Sequence, residues 1–351
     1  MNILVTGGAG YIASHVIKQL CKTTDHNIVV VDNLETGSYS TILKLLTFKT
    51  FVFYKMDVGN FELMRTVLEK HSIDAVIHFA ANIVVSESVD NPLKYYQNNT
   101  SSTIELISAC EKTDVKKFIF SSTAAVYGEP DLPPFVLEQG VSESFVGTPI
   151  NAYGKSKLMS ETVLREASEK STHLKSVIFR YFNVAGADVN YIGDPARNKI
   201  LSPRIGQRSK NATHLFKVIV ECLLGKRDKI LIYGNDFNTK DGTGVRDYIH
   251  VDDLAKAHIL ALDYLDSNES DTFNIGYGTG YSVLDVIKAA EELTGQKVNY
   301  EFVARREGDP ACLIANSSKI QQKMQWAPEF NNIHLILESA LQWEKTLAAL
   351  N

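Results

Sequence analysis

The chain has 351 residues, 44% apolar and 22% charged, and a formal net charge of −5. That length can bury a large core shared by two domains, and the balance is that of an ordinary globular protein. The acidic balance speaks against a nucleic-acid partner, which needs a basic face, and no apolar run is long enough for a membrane span.

The opening Met-Asn-Ile-Leu-Val-Thr has no charged segment followed by an apolar one, so no secretory leader is expected. Cys21, Cys110, Cys222 and Cys312 lie far apart and match no metal spacing. They read as reduced thiols of a cytoplasmic enzyme that holds no metal.

Apolar runs over 3–5, 28–31, 51–54, 75–79, 117–120 and 177–179 predict buried strands. Between them, 11–21, 61–71, 93–110 and 152–168 carry helical spacing. Strand and helix in alternation imply a parallel sheet covered on both faces, and right-handed crossovers make it a doubly wound, Rossmann-type α/β fold. After about residue 182 the rhythm changes. Residues 187–212 are polar and irregular, and helices follow near 213–225, 252–266, 282–295 and 333–349. The expected division is a dinucleotide domain over 1–182 and a smaller mixed α/β substrate domain over 183–351, with segments near 230–265 free to return to the first.

The first strand runs into Thr-Gly-Gly-Ala-Gly-Tyr-Ile-Ala. Gly7 and Gly10 permit a tight turn and close approach of backbone to a pyrophosphate at the following helix N-terminus. Ala13 takes the third small position, where packing of helix on strand is the requirement. Asp32 closes the second strand, either capping a turn or meeting the adenine ribose hydroxyls; the second reading favours NAD over its 2′-phosphorylated form. Asp57, at the end of the third strand, suits the adenine end. Phe79, Ala80 and Ala81 end the fourth strand with room for the cofactor.

The fifth strand ends in hydroxyls, Ser121 to Thr123, where open α/β sheets bind ligands. Strand-end hydroxyls also satisfy backbone groups, and Tyr-x-x-x-Lys alone reads equally as a surface turn of helix. Here the next helix brings Tyr153 and Lys157, one turn apart, to the same crevice. A free tyrosine, with pKa about 10, is roughly 0.1% ionised at neutral pH, so a usable base needs a shift worth roughly 4 kcal/mol. One cation near 5 Å contributes about 3 kcal/mol at an effective dielectric near 20. The Lys157 ammonium and a positive nicotinamide ring together suffice.

The glycine turn, the Ser-Ser-Thr strand end and Tyr-x-x-x-Lys resemble the extended short-chain dehydrogenase/reductase superfamily. Further runs, Arg-Tyr-Phe-Asn-Val-Ala-Gly-Ala at 180–187, Asp-Gly-Thr-Gly-Val-Arg-Asp-Tyr-Ile-His-Val at 241–251 and Arg-Arg-Glu-Gly-Asp at 305–309, are similar to those of UDP-glucose 4-epimerases. The resemblance covers essentially the whole chain. It implies NAD-dependent inversion at C4 of a UDP-hexose through a 4-keto sugar, with Tyr153 as base, Lys157 as its support and Thr123 holding the sugar hydroxyl. It places Tyr11, Ile12, Asn33, Asp57, Val58, Asn98 and Phe182 at the cofactor. Asn183, His214, Leu215, Tyr233, Arg246, Arg306 and Asp309 fall on the UDP side, where a guanidinium fork suits a diphosphate.

Leu313 matches the position where a bulky aromatic residue in the family walls the C2 side of the sugar. A leucine there implies acceptance of UDP-N-acetylhexosamines. The resemblance also implies a homodimer packed through helices near 93–110 and 152–168. Three departures stand out: Ala13 for glycine, Ile83 for a lysine near the pyrophosphate, and an unusual 187–212. Ala124 and Ala125 stand where related dehydratases carry Asp-Glu, so elimination of water lacks its acid and base. A dinucleotide sensor without chemistry would not need both Tyr153 and Lys157.

Overall fold

The computed structural model describes residues 1–130, 139–189, 203–209, 212–306 and 308–350. Most of the irregular 187–212 segment, and position 307 of the Arg-Arg-Glu-Gly-Asp run, lie outside the described residues.

The first half alternates β1 (Asn2–Thr6), α1 (Tyr11–Thr23), β2 (Asn27–Asp32), α2 (Tyr39–Leu45), β3 (Val52–Lys55), α3 (Phe61–Lys70) and β4 (Ala75–His78). It continues with α4 (Val85–Asp90), α5 (Pro92–Tyr95), α6 (Ser102–Lys112), β5 (Lys117–Thr123), α7 (Ala152–Lys170) and β6 (Lys175–Tyr181). All six expected strands are present. They pair in parallel in the order β10-β6-β5-β4-β1-β2-β3, the seventh strand being β10 (Asp271–Ile275).

Alternation along each strand sends neighbours to opposite faces. Ile3, Val5, Ile28, Val30, Ile77 and Phe179 pack under α1 and the helix α9 (Val251–Ser267). Leu4, Val29, Val31, Val76, Phe118 and Phe120 pack under α3, α6 and α7. Both faces are covered, which is why these strands read as continuous apolar runs.

The single helix expected over 93–110 is interrupted. Residues Tyr96–Ser101 form a π-helical turn between α5 and α6. Its cause lies in the partners of Asn99: the Asn99 carbonyl accepts from the Thr103 hydroxyl at 2.5 Å and the Ser160 hydroxyl at 3.1 Å. The Asn99 amide meanwhile exchanges bonds with the Asn82 backbone at 2.8 and 3.0 Å and donates to Ser156 Oγ at 3.1 Å. These side-chain bonds widen the turn and tie the loop after β4 to α7.

The second half holds β7 (Asn183–Ala185), α8 (Leu215–Leu223), β8 (Ile230–Tyr233), β9 (Val245–His250), β11 (Gly280–Ser282), α10 (Val283–Thr294), β12 (Tyr300–Val303), β13 (Cys312–Leu313), α11 (Ser318–Met324) and α12 (Ile333–Leu350). A separate core of Phe216, Ile219, Ile232, Val286, Ile287 and Leu337 holds α8, α10 and α12 together. Between these parts the chain returns to the main sheet: α9 packs on α1, and β10 pairs with β6 from Asp271 opposite Val177 to Ile275 opposite Tyr181. Residues 251–275 thus lie on the main sheet.

Candidate active site

The crevice opens at the carboxyl ends of β1 and β4, where the strand order reverses. Gly7, at φ +67°, donates to the Val31 carbonyl at 2.8 Å, and a Cβ on it would sit 2.8 Å from the Ala80 nitrogen. The turn can therefore lie directly against the end of β4 only without a side chain. Gly10 is the N-cap of α1, and no side chain caps this helix or places an acid in its first turn. Its leading N–H groups face the turn with partial positive charge, and small residues Gly7, Gly10, Ala80 and Ala81 surround it. That cradle fits a pyrophosphate.

The turn-capping reading of Asp32 is the one seen in its contacts. Its Oδ1 accepts from Leu34 N at 2.7 Å, capping the turn, and its Oδ2 accepts from Ala9 N at 3.0 Å, tying it to the glycine turn. Burial pushes its carboxyl up and these two bonds oppose the shift. Asp57 and Asn33 meet nearby, with Asn33 Nδ2 3.4 Å from Asp57 Oδ2 and Gly59 N donating to Asp57 Oδ1 at 2.7 Å. Val58 is buried under the sheet.

Tyr11 turns its side chain elsewhere: the hydroxyl donates to the Gly186 carbonyl at 2.6 Å, joining α1 to the segment after β7. Ile12 packs on the core beside it. The Phe79 ring lies 4.8 Å from that of His258. Asn98 donates to Asn99 Oδ1 at 3.0 Å within the π turn, and Phe182 is buried with its N–H on the Ile275 carbonyl at 3.2 Å. Ala13 is buried in the core, as a packing position should be, and Ile83 is exposed.

At the other side of the crevice, Thr123 ends β5 opposite Tyr181 of β6. Asn151 caps α7 by accepting from Gly154 N at 2.9 Å. Gly154 lets the helix approach closely, since a Cβ there would meet the Ala125 carbonyl oxygen at 2.6 Å. This approach brings the Tyr153 phenol beside Thr123 at the end of β5. One turn on, Lys157 Nζ donates to the Ser121 carbonyl at 2.8 Å and lies 4.8 Å above the Phe120 ring.

Both side chains are buried, with electrostatic consequences. Burial pushes the Tyr153 phenol up, and the Thr123 hydroxyl draws it down. Burial pulls Lys157 down to about 7 against the attraction of Glu161. The chain alone therefore leaves the phenol protonated near neutrality; a further positive charge is needed to ionise it.

The residues expected at the nucleotide form two groups. Asn183, His214 and Leu215 border one pocket, together with Gly186, Gln207 and Trp343, which were not expected there. His214 precedes α8, and burial pulls its imidazole down. In the second group Arg246 Nη2 donates to Asp309 Oδ1 at 2.6 Å, and the Arg306 guanidinium stacks 3.6 Å from the Tyr233 ring centroid. Strand β9 joins the groups: Tyr248, which borders the pocket, is two residues from Arg246 and feels the charges of Arg246 and Asp309. Leu313 pairs with Arg246 across β13 and β9. It is buried with Ala124, Val126, Tyr127 and Phe182, the residues that follow Thr123 and Tyr181.

Sequence reasoning missed several groups around Tyr153. Tyr95 sets its ring edge-on to Tyr153 at 6.4 Å, held by bonds from its hydroxyl to the Val84 carbonyl at 2.6 Å and Glu87 at 2.9 Å. Tyr181, opposite Thr123 on β6, lies close enough to feel the same phenol. Tyr181 lay inside a quoted motif, whereas Tyr95 carried no signal beyond helical spacing.

The model of the NAD dependent epimerase/dehydratase family matches residues 3–276. A UDP-glucose 4-epimerase of Azospirillum brasilense is 45% identical over 99% of this chain and 92% of its own length. A UDP-glucose 4-epimerase of Stenotrophomonas maltophila, solved with NAD and formylated UDP-arabinopyranose, superposes with a TM-score of 0.91 at 34% identity, covering all of both chains. A UDP-Glc/GlcNAc 4-epimerase of Campylobacter jejuni superposes at 0.82 with 49% identity, over 98% of this chain and 99% of the other.

Proposed function

For a chain that belongs to the NAD-dependent epimerase/dehydratase family, and within it to the UDP-glucose 4-epimerases, we propose NAD-dependent inversion at C4 of UDP-hexoses. The observation that carries the reading is that α7 sets the buried Tyr153 and Lys157 one turn apart against the end of β5, where Lys157 donates to the Ser121 carbonyl at 2.8 Å. The pair stands in the crevice that also holds the bare N-terminus of α1.

Bound at the glycine turn, NAD would supply reversible two-electron chemistry at C4 of the sugar and, in its oxidised form, a positive ring. The residues that would hold it are Gly7, Gly10, Tyr11, Ile12, Asp32, Asn33, Asp57, Val58, Phe79, Ala80, Ala81, Asn98, Tyr153, Lys157 and Phe182. Tyr153 takes the proton of the C4 hydroxyl as that carbon is oxidised to a ketone, and gives it back after the sugar has presented its other face. Thr123 orients the hydroxyl. Lys157 stabilises the phenolate when charged. Arg246 and Arg306 bind the diphosphate, Asp309 the ribose, and Asn183, His214, Leu215 and Tyr233 the remainder of UDP. Arg246 reaches Asp309 in this arrangement, so a diphosphate would compete for a guanidinium already in place.

Residues 1–182 with the returning 251–275 serve the dinucleotide, and the remainder serves the UDP-sugar. Leu313 provides no ring beside Ala124 and Phe182, so the C2 side of the sugar admits an acetamido group; a 49% identical relative is a UDP-Glc/GlcNAc 4-epimerase. The exposed apolar residues Leu93 (73%), Val89 (55%), Met159 (49%) and Ile104 (38%), on α4 to α7, favour a homodimer through those helices. Cys110 points into the core and takes no part in that face. Among the described residues no helix is long and apolar enough to cross a membrane, and a cytoplasmic enzyme is the reading carried from the sequence.

Incubation of pure protein with UDP-glucose, UDP-galactose and the two UDP-N-acetylhexosamines, with products resolved by chromatography, tests this. All four should move to epimer mixtures, and Tyr153→Phe should stop each. Absence of turnover with every sugar refutes the function. Absence with the acetamido pair alone refutes the role of Leu313. Sedimentation as a monomer refutes the dimer.

A further inference from the structure

Tyr153, Lys157 and Glu161 follow one another at every fourth position of α7, so the three share one face. Glu161 is fully buried and has no part in the roles given above. An isolated carboxylate in such a place would take up a proton. This one meets a fork: Arg180 Nε stands 3.1 Å from both its oxygens, and Arg180 Nη2 donates to Oε2 at 2.6 Å. Ser122 also donates to Oε1, and Arg165 approaches Oε2 at 3.5 Å.

Arg180 is fixed in turn by the Tyr127 hydroxyl and the Glu143 carbonyl, each at 3.3 Å, and by the Tyr127 ring at 5.1 Å. The clamp thus draws on β5, β6 and the turn after Thr123, the same segments that shape the sugar side of the crevice. An ion pair needed only for stability could lie anywhere beneath α7. This one lies one turn from Lys157 on the same face of α7.

Few other charges face Lys157. His78 on β4 is neutral, pulled down to about 3 by burial and by Lys157 itself. Tyr153 lies on the same helix, and Tyr95 of α5 and Tyr181 of β6 face it with phenols that burial pushes up. Burial draws the proton off Lys157, and Glu161 opposes that loss.

We infer that Glu161, clamped by Arg180 and Ser122, is a positioning residue that keeps Lys157 a cation beside Tyr153. The inference rests on the reading of Tyr153 and Lys157 as the proton-transfer pair. The sign is definite. Lys157 loses its charge as pH rises, phenolate support goes with it, and removal of the Glu161 charge moves that loss to lower pH.

The test follows the Lys157 Nζ titration by nitrogen-15 NMR and kcat against pH in the holoenzyme. Glu161→Gln should lower the titration and the alkaline limb of kcat by about one pH unit, the effect of a charge at roughly 6 Å offset in part by Arg180. Because that variant strands a buried guanidinium, Glu161→Gln/Arg180→Gln is measured beside it and should shift the same way by about half as much. Glu161→Asp, which keeps the charge, should titrate as the parent does. An unmoved Lys157 titration in whichever neutralised variant folds overturns the inference. Full epimerisation by Lys157→Met would instead sink the catalytic pair, with the NMR titration still judging Glu161.

Discussion

Replacing Lys18 by methionine should destabilise the fold far from any reacting atom. Lys18, on the inner face of α1, donates to Asp188 at 2.8 Å and to Asp252 at 2.7 Å, and all three are buried. Asp188 also accepts from Arg204 Nε at 2.9 Å, and Asp252 bonds His15 at 2.8 Å. Burial keeps His15 neutral, so two cations balance two carboxylates. Methionine fills a similar volume but leaves one buried negative charge uncompensated, a loss of about 3–5 kcal/mol for breaking one side of such a cluster.

Urea unfolding followed by fluorescence measures this. A second change, Asp188→Asn, should restore about 1–2 kcal/mol by returning the cluster to neutrality. The pH dependence has a definite direction. Both carboxyls are held below the ordinary aspartate value, so their stabilisation is present above about pH 4 and is lost as pH falls through the depressed values. Lys18 is held above its ordinary value, so its share is complete below about pH 10 and is lost only as pH rises through the raised value. Without Lys18 the carboxyls protonate earlier and acid unfolding begins at higher pH. A loss under about 1 kcal/mol, with an unchanged acid limb, would show that water already compensates these charges.

Gly7→Ala combines a strained φ with a Cβ 2.8 Å from the Ala80 nitrogen, so NAD affinity measured by fluorescence titration should fall by at least about tenfold. Lys157→Met removes a cation near the phenol worth about 3 kcal/mol, and kcat should drop by about a hundredfold. Leu313→Tyr should abolish turnover of the acetamido sugars while the unsubstituted pair stays within about tenfold; equal losses for both pairs would mean general overpacking, at about 1–3 kcal/mol.

The glycine turn, the end of β2 at Asp32 and the spacing of Tyr153 and Lys157 were legible because each is local. A tight turn needs Gly7, and i, i+4 spacing sets two side chains on one helical face wherever that helix goes. Asn99 shows the limit. Its sequence neighbourhood reads as helix, yet bonds from Ser160, sixty-one residues away, turn it into a π segment. Tyr11 shows another: its place beside the turn was readable, but not the partner of its hydroxyl at Gly186.

The pattern of apolar residues determined that this chain forms a parallel sheet with helices on both faces, and that a phenol and an ammonium project together at its carboxyl edge. Periodicity records which side of each element avoids water, and that preference is a property of the segment alone. Only the folded chain decided that β10 joins the sheet, that Glu161 meets Arg180, and that Lys18 lies between Asp188 and Asp252. Those pairings join residues far apart in sequence, and buried charges choose partners by distance in space, on which local order carries no information.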